Sequence, residues 1–167
     1  KTIKALIDGV ITDLGLVDLA IAEGAFTGSR AIWNVEGIKY VAITKGEPSS
    51  VGLTSLAGFL EPISLEDDYW LFVELGYGFR CPIVLAPGLI CEVKVKHYTK
   101  KSIGDLVELP QLSRPHVLAF DGEREVVVPS GACLTIKVDR DGPPLLRFER
   151  AFKLLKEKFK LTEALES

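Results

Sequence analysis

The chain has 167 residues, 47% of them hydrophobic and 26% charged, enough to close one hydrophobic core without covalent staples. Its formal net charge of −3, with no basic block and no basic–aromatic interleaving, argues against nucleic acid or an anionic membrane as partner. No apolar run is long enough for a membrane-crossing helix and no signal peptide opens the chain, so neither a membrane nor an export route is expected.

The first predicted element is a strand over 17–24, VDLAIAEG, whose β-leaning apolar residues close on Gly24. FTGSRAIW (26–33) follows as a short helix, with Thr27 or Ser29 placed to cap it. IKYVAITKGEP (38–48) alternates only loosely, which predicts a strand buried on both sides. Pro48-Ser49-Ser50 ends it, and VGLTSLAGFL then has the small residues and apolar spacing of a short, tightly packed helix stopped by Glu61-Pro62. From Tyr69 the pattern is strongly β: YWLFVELG, RCPIVL, ICEVKVKHY, HVLAFDG, REVVV, CLTIKV and LLRF, separated by Gly, Pro and Asp. CLTIKV and EVKVK alternate cleanly, as half-exposed antiparallel strands do. In the tail, FERAFKLLKEKFKL places Phe148, Phe152, Leu155 and Phe159 on one stripe, which predicts an amphipathic packing helix. The sum is a mainly β, antiparallel single domain over 1–167, with one short inner helix and one C-terminal amphipathic helix.

Little of this sequence advertises chemistry. Cys81, Cys91 and Cys133 each sit in an apolar run with no CxxC pair, which predicts buried free thiols, a reducing cytoplasm and no metal site. His97 and His116 have no Cys, Asp or Glu at ligand spacing and read as surface or strand-end histidines. No serine stands in a GxSxG elbow. Asp139-Arg140-Asp141-Gly142 opens like a calcium loop, but Pro143-Pro144 intervenes and the closing glutamate is missing, so a hairpin turn is expected. Glu66, Asp67 and Asp68 read as an exposed turn.

SSVGLTSLAG stands apart. Hydroxyls and a glycine at a loop-to-helix junction can cradle an anion, because backbone N–H groups converge there and the helix dipole favours negative charge. The same residues serve a plain N-cap and close helix packing, and neither a Walker lysine nor a GxGxxG supports the cradle.

Three segments in this order, SSVGLTSLAG, FRCPIVLAPG and HVLAFDGEREVVVPSGACLTIKV, resemble the C-terminal β-rich domain of the NAD kinase and diacylglycerol kinase superfamily. FTGSRAIWNVEGIKYVAITKGEPSSVGLTSLAGFLEPI, APGLI and DRDGPPLLRFERAFK are similar to the ATP-NAD kinase-like branch related to acetoin-catabolism protein AcoX. The resemblance covers roughly residues 17–160 and implies an antiparallel β-sandwich-like fold of the NAD kinase C-terminal type. It implies NAD or another adenine nucleotide as ligand, contacted by Ser49, Ser50, Gly52 and Thr54, with Asp121 and Gly122 at the family's strand-end turn. Gly122 is expected at positive φ there. Asp18, Glu23 and Asp121 are weaker candidates for ribose hydroxyls. Leu53 and Leu56 depart from the serine and tyrosine common in that family, which supports a second reading: a structural or regulatory module that kept the fold and lost the ligand.

The GGDGT motif of these kinases is absent from the chain, so by itself it is expected to bind rather than phosphorylate. An ATP-dependent, NAD kinase-like phosphotransfer then belongs to an upstream or separate GGDGT-bearing α/β domain. Methionine is absent too, which reads as a chain cut from a longer parent or one subunit of a pair. The resemblance also implies a homo-oligomer, joined through β edges.

Overall fold

The computed structural model describes residues 1–23, 35–109, 111–144 and 146–159. In chain order the strands are β1 (Thr2–Ile7), β2 (Val10–Gly15), β3 (Asp18–Glu23), β4 (Ile38–Ile43) and β5 (Tyr69–Ala86). They continue as β6 (Leu89–Ser102), β7 (Leu106–Leu109), β8 (His116–Phe120), β9 (Arg124–Val128) and β10 (Leu134–Asp139). A 3-10 turn, Val35–Gly37, precedes β4, and the helices are α1 (Leu53–Leu60) and α2 (Phe148–Phe159). The strands form a four-stranded sheet, β2-β1-β10-β7, and a six-stranded sheet, β6-β5-β4-β3-β8-β9, and every pairing is antiparallel.

Alternation explains how the layers stack. On β10, Leu134, Ile136 and Val138 are fully buried, while Thr135 and Lys137 lie on the outer face opposite Leu6 and Lys4 of β1. The inner residues meet Leu19, Ile21, Trp70, Leu118 and Phe120 of the six-stranded sheet to form the core between the sheets. The six-stranded sheet is apolar on its other face as well: Val41, Ile43, Leu71 and Val73 pack there with Leu53, Leu56 and Ala57 of α1. β4 therefore has apolar partners on both sides, which is why its sequence does not alternate. Full burial of side chains the size of Trp70 and Phe120 contributes roughly 2–3 kcal/mol each, and the Trp70 indole N–H donates to the Ser102 carbonyl at 3.1 Å.

The mainly β, two-sheet, sandwich-like architecture agrees with the sequence reading, and several details differ from it. Residues 1–16 contain β1 and β2, which no local signal had been taken to mark. YWLFVELG and RCPIVL are one continuous strand, β5, whose register slips between Leu75 and Phe79; Gly78 lies against the β6 backbone, where a Cβ would stand 1.9 Å from the Val95 carbonyl oxygen. β10 ends at Asp139 with no strand after it among the described residues, so Asp139–Gly142 is not a hairpin turn. Arg140 instead caps the acidic loop, donating to the Glu66 and Asp67 carbonyls at 2.8 and 2.9 Å and to the Asp68 carboxylate at 2.7 Å. Leu146 and Arg147 are not strand and Phe148 opens α2, because the Pro143-Pro144 pair has no N–H for a ladder. α2 buries none of its side chains, contrary to the packing expected of it. Only Cys81 is buried; Cys91 is half-buried and Cys133, just before β10, is exposed. The helix expected over 26–33 lies outside the described residues.

Candidate functional site

The start of α1 holds four of the expected ligand contacts. Gly52 has φ 77° and ψ −150° with nothing within 4 Å of where a Cβ would sit, so backbone conformation rather than crowding calls for glycine. Its N–H donates to the Val84 carbonyl at 2.6 Å. Ser55 completes the clip: its hydroxyl donates to the Gly52 carbonyl at 2.7 Å and accepts the Val84 N–H at 2.9 Å. The Ser50 hydroxyl donates to the Glu47 carboxylate at 3.3 Å, the Thr54 hydroxyl to the Val51 carbonyl at 2.8 Å, and Ser49 is exposed. α1 has no side-chain cap and no acidic residue in its first turn, so the positive end of its dipole is unneutralised. Its small residues have a packing purpose: a Cβ on Gly58 would lie 2.2 Å from the Glu47 carbonyl carbon, and one on Gly46 would lie 2.8 Å from the Ala57 Cβ. Leu53 and Leu56 are buried in the same cluster.

Asp121 and Gly122 form the two central positions of the β8–β9 turn, at φ 52° and 69°, and the Glu123 N–H closes it on the Phe120 carbonyl at 3.0 Å. The Asp121 carboxylate is spent on the backbone of another loop. It accepts the backbone N–H groups of Leu16 at 2.9 Å, Val17 at 2.8 Å and Asp18 at 3.2 Å, which pins the β2–β3 connection that crosses between the sheets. Asp18 stands beside it, and burial, reinforced by the negative charge of Asp121, pushes the Asp18 carboxyl up to about 7.

Glu23 lies at the other end of β3, five residues on, about 16 Å at the usual strand rise. There the end of β3 meets the starts of β4 and β8, with Ala22 opposite Ile38 and Glu23 opposite His116. A cleft of about 650 Å³ opens at this corner, lined by Glu23, Lys39, Arg114, Val117 and Val127. Lys39 Nζ stands 3.4 Å and Arg114 Nη1 3.1 Å from the two Glu23 carboxylate oxygens. The hydrogen bond from Lys39, with the charges of Lys39 and Arg114, holds Glu23 below the usual carboxylate range. A second hollow of about 330 Å³ lies across Lys39, lined by Leu75, Tyr77 and Lys94 among others. Neither cavity includes a residue of 49–54.

The corner thus presents two cations on one carboxylate, a net positive site with hydroxyl-accepting oxygens. Arg114 is exposed and Lys39 partly so, and ion pairs this open to water add little stability, so either cation can leave Glu23 at small cost. Arg114 brings the planar fork that grips phosphate or carboxylate with two bonds.

Residues 1–141, which include α1, the Asp121 turn and this corner, match the acetoin catabolism protein X C-terminal domain. The chain belongs to that family. It is also 35% identical over 122 residues to acetoin catabolism protein X of Cupriavidus necator, an alignment covering 71% of this chain and 33% of that protein. The chain therefore spans about a third of the relative's length.

Within this AcoX-type domain the expected site residues fall in three places rather than one: Ser49, Ser50, Gly52 and Thr54 at α1, Asp18, Asp121 and Gly122 at one end of β3, and Glu23 at the other. His116 is buried at the start of β8 with its Nδ1–H donating to the Arg114 carbonyl at 2.8 Å, so it shapes the turn that presents Arg114. His97 is mid-strand and exposed on β6, not at a strand end. No sequence motif marks Lys39 or Arg114, and Arg114-Pro115-His116 signals chemistry only through its histidine. Among the described residues no group of three or more His, Cys, Asp or Glu is arranged to hold a metal ion.

Proposed function

We propose that this AcoX-type C-terminal domain binds an anionic, hydroxyl-bearing ligand of the nucleotide or dinucleotide class. The reaction on that ligand is assigned to another part of a larger protein. The observation that carries the reading is the corner cleft, where Lys39 and Arg114 bracket Glu23 in about 650 Å³, within the size range of small-molecule sites. In it Arg114 and Lys39 hold phosphate, and Glu23, released from them, accepts ribose hydroxyls. The uncapped start of α1 offers a second anion contact, and its likeness to the dinucleotide loop of NAD kinases supports NAD or another adenine nucleotide. No GGDGT occurs in the sequence, so phosphoryl transfer, which needs a metal–phosphate clamp and an acceptor base together, is not assigned to these residues.

Calorimetric titration of the chain with NAD, NADP, ATP and coenzyme A tests this. At least one should bind, and Arg114→Ala or Lys39→Ala should weaken that binding about tenfold or more, the loss of one charge-assisted contact. Absence of binding by all four at millimolar concentration overturns the proposal. The second reading, a structural module that has lost its ligand, is favoured at α1 alone, where the Ser50 and Thr54 hydroxyls are spent on the chain's own acceptors.

A further inference from the structure

α2 lies beyond the residues that match the family and leaves its whole apolar stripe in water. Phe148, Phe152, Leu155 and Phe159 are 67%, 64%, 42% and 61% exposed. Their spacing of four, three and four is the heptad seam of paired helices, and at 100° per residue they fall within roughly 60° of the helix circumference. The residues beside the seam carry opposite charges on one flank: Glu149 and, seven residues on, Lys156. The other flank carries Ala151 and Lys158.

We propose that α2 pairs antiparallel with α2 of a second copy of the chain. In an antiparallel pair like flanks face each other, so Glu149 meets the partner's Lys156 and Lys156 meets the partner's Glu149, twice over by the two-fold symmetry. The register that stacks Phe152 on the partner's Leu155, and Phe148 on the partner's Phe159, brings each Glu149 to within two residues of the partner's Lys156, about 3 Å along the helix axis. A parallel pair sets unlike flanks together and, within α2, brings Lys156 only against Ala151. Charge pattern and apolar seam therefore select the same occupant and the same orientation.

Sedimentation velocity over a wide concentration range reads the outcome. The chain should show a concentration-dependent monomer–dimer equilibrium, and Phe152→Asp should remain monomeric over the same range while its thermal melt is unchanged. Lys156→Glu should raise the dissociation constant about tenfold by turning two attractive contacts repulsive. Adding Glu149→Lys to Lys156→Glu should restore it. The proposal is overturned by a monomer at every concentration, by a dimer insensitive to Phe152→Asp, or by failure of the charge-swapped double variant to recover. It is equally overturned if the chain stays monomeric and instead co-sediments with phosphatidylserine vesicles, since a basic amphipathic helix can also lie on an anionic bilayer.

Discussion

Asp18 and Asp121 stand side by side at one end of β3 and do opposite things to stability. Folding raises the Asp18 carboxyl from 3.8 to about 7, so between those values the folded chain holds a proton that the unfolded chain has lost. That contribution is fully present below about pH 4, declines as pH rises and is gone above 7, a loss on the order of 4 kcal/mol. Asp18→Asn should therefore be more stable than the parent at pH 8 and nearly equal at pH 4, read from urea midpoints. Equal midpoints at pH 8 would refute the burial argument. Asp121 is a staple: Asp121→Ala removes the acceptor of three backbone N–H groups and places alanine at φ 52°, and should cost about 2–4 kcal/mol. Because Glu23 is at the far end of β3, ligand affinity in Asp121→Ala, measured below its melting temperature, should be unchanged. A large loss of affinity would return Asp121 to the site.

At the scale of elements, the α1 segment shows how one composition serves two purposes. Its sequence fits both an anion cradle and a tightly packed helix start, and small residues satisfy either demand. Geometry separates them position by position: Gly58 and Gly46 are small because the 46–48 turn lies against α1, whereas Gly52 is a glycine because of its φ. Gly58→Ala should thus destabilise by about 1–3 kcal/mol through overpacking, and Ser55→Ala, which leaves the Val84 N–H without its acceptor, by about 1–3 kcal/mol. Chemical denaturation of the two variants checks both figures. A neutral Gly58→Ala would mean that the turn can retreat from the helix. The strand pattern from Tyr69 onward was legible because alternation is local. Pairing is not local, which is why the sequence of β5 reads as two strands and that of β1 and β2 carries no clear strand signal.

Across the whole molecule, short-range residue patterns were enough for the mainly β class, the half-exposed character of β10, the inner helix, the positive φ of Gly122 and the family likeness. Each of these rests on residue periodicity, turn chemistry or ordered motifs, all carried within a short stretch of chain. Folding in three dimensions brought Glu23, Lys39 and Arg114, up to 91 residues apart, to one corner. It also placed Asp121 on the backbone of the β2–β3 connection, more than 100 residues earlier. It left the Phe148–Phe159 stripe in water, a stripe that the sequence could show to be apolar but could not assign a partner. One cause underlies the first two placements. Which side chains meet across two sheets depends on strand order and register, and a one-residue slip in register would send every one of them to the opposite face.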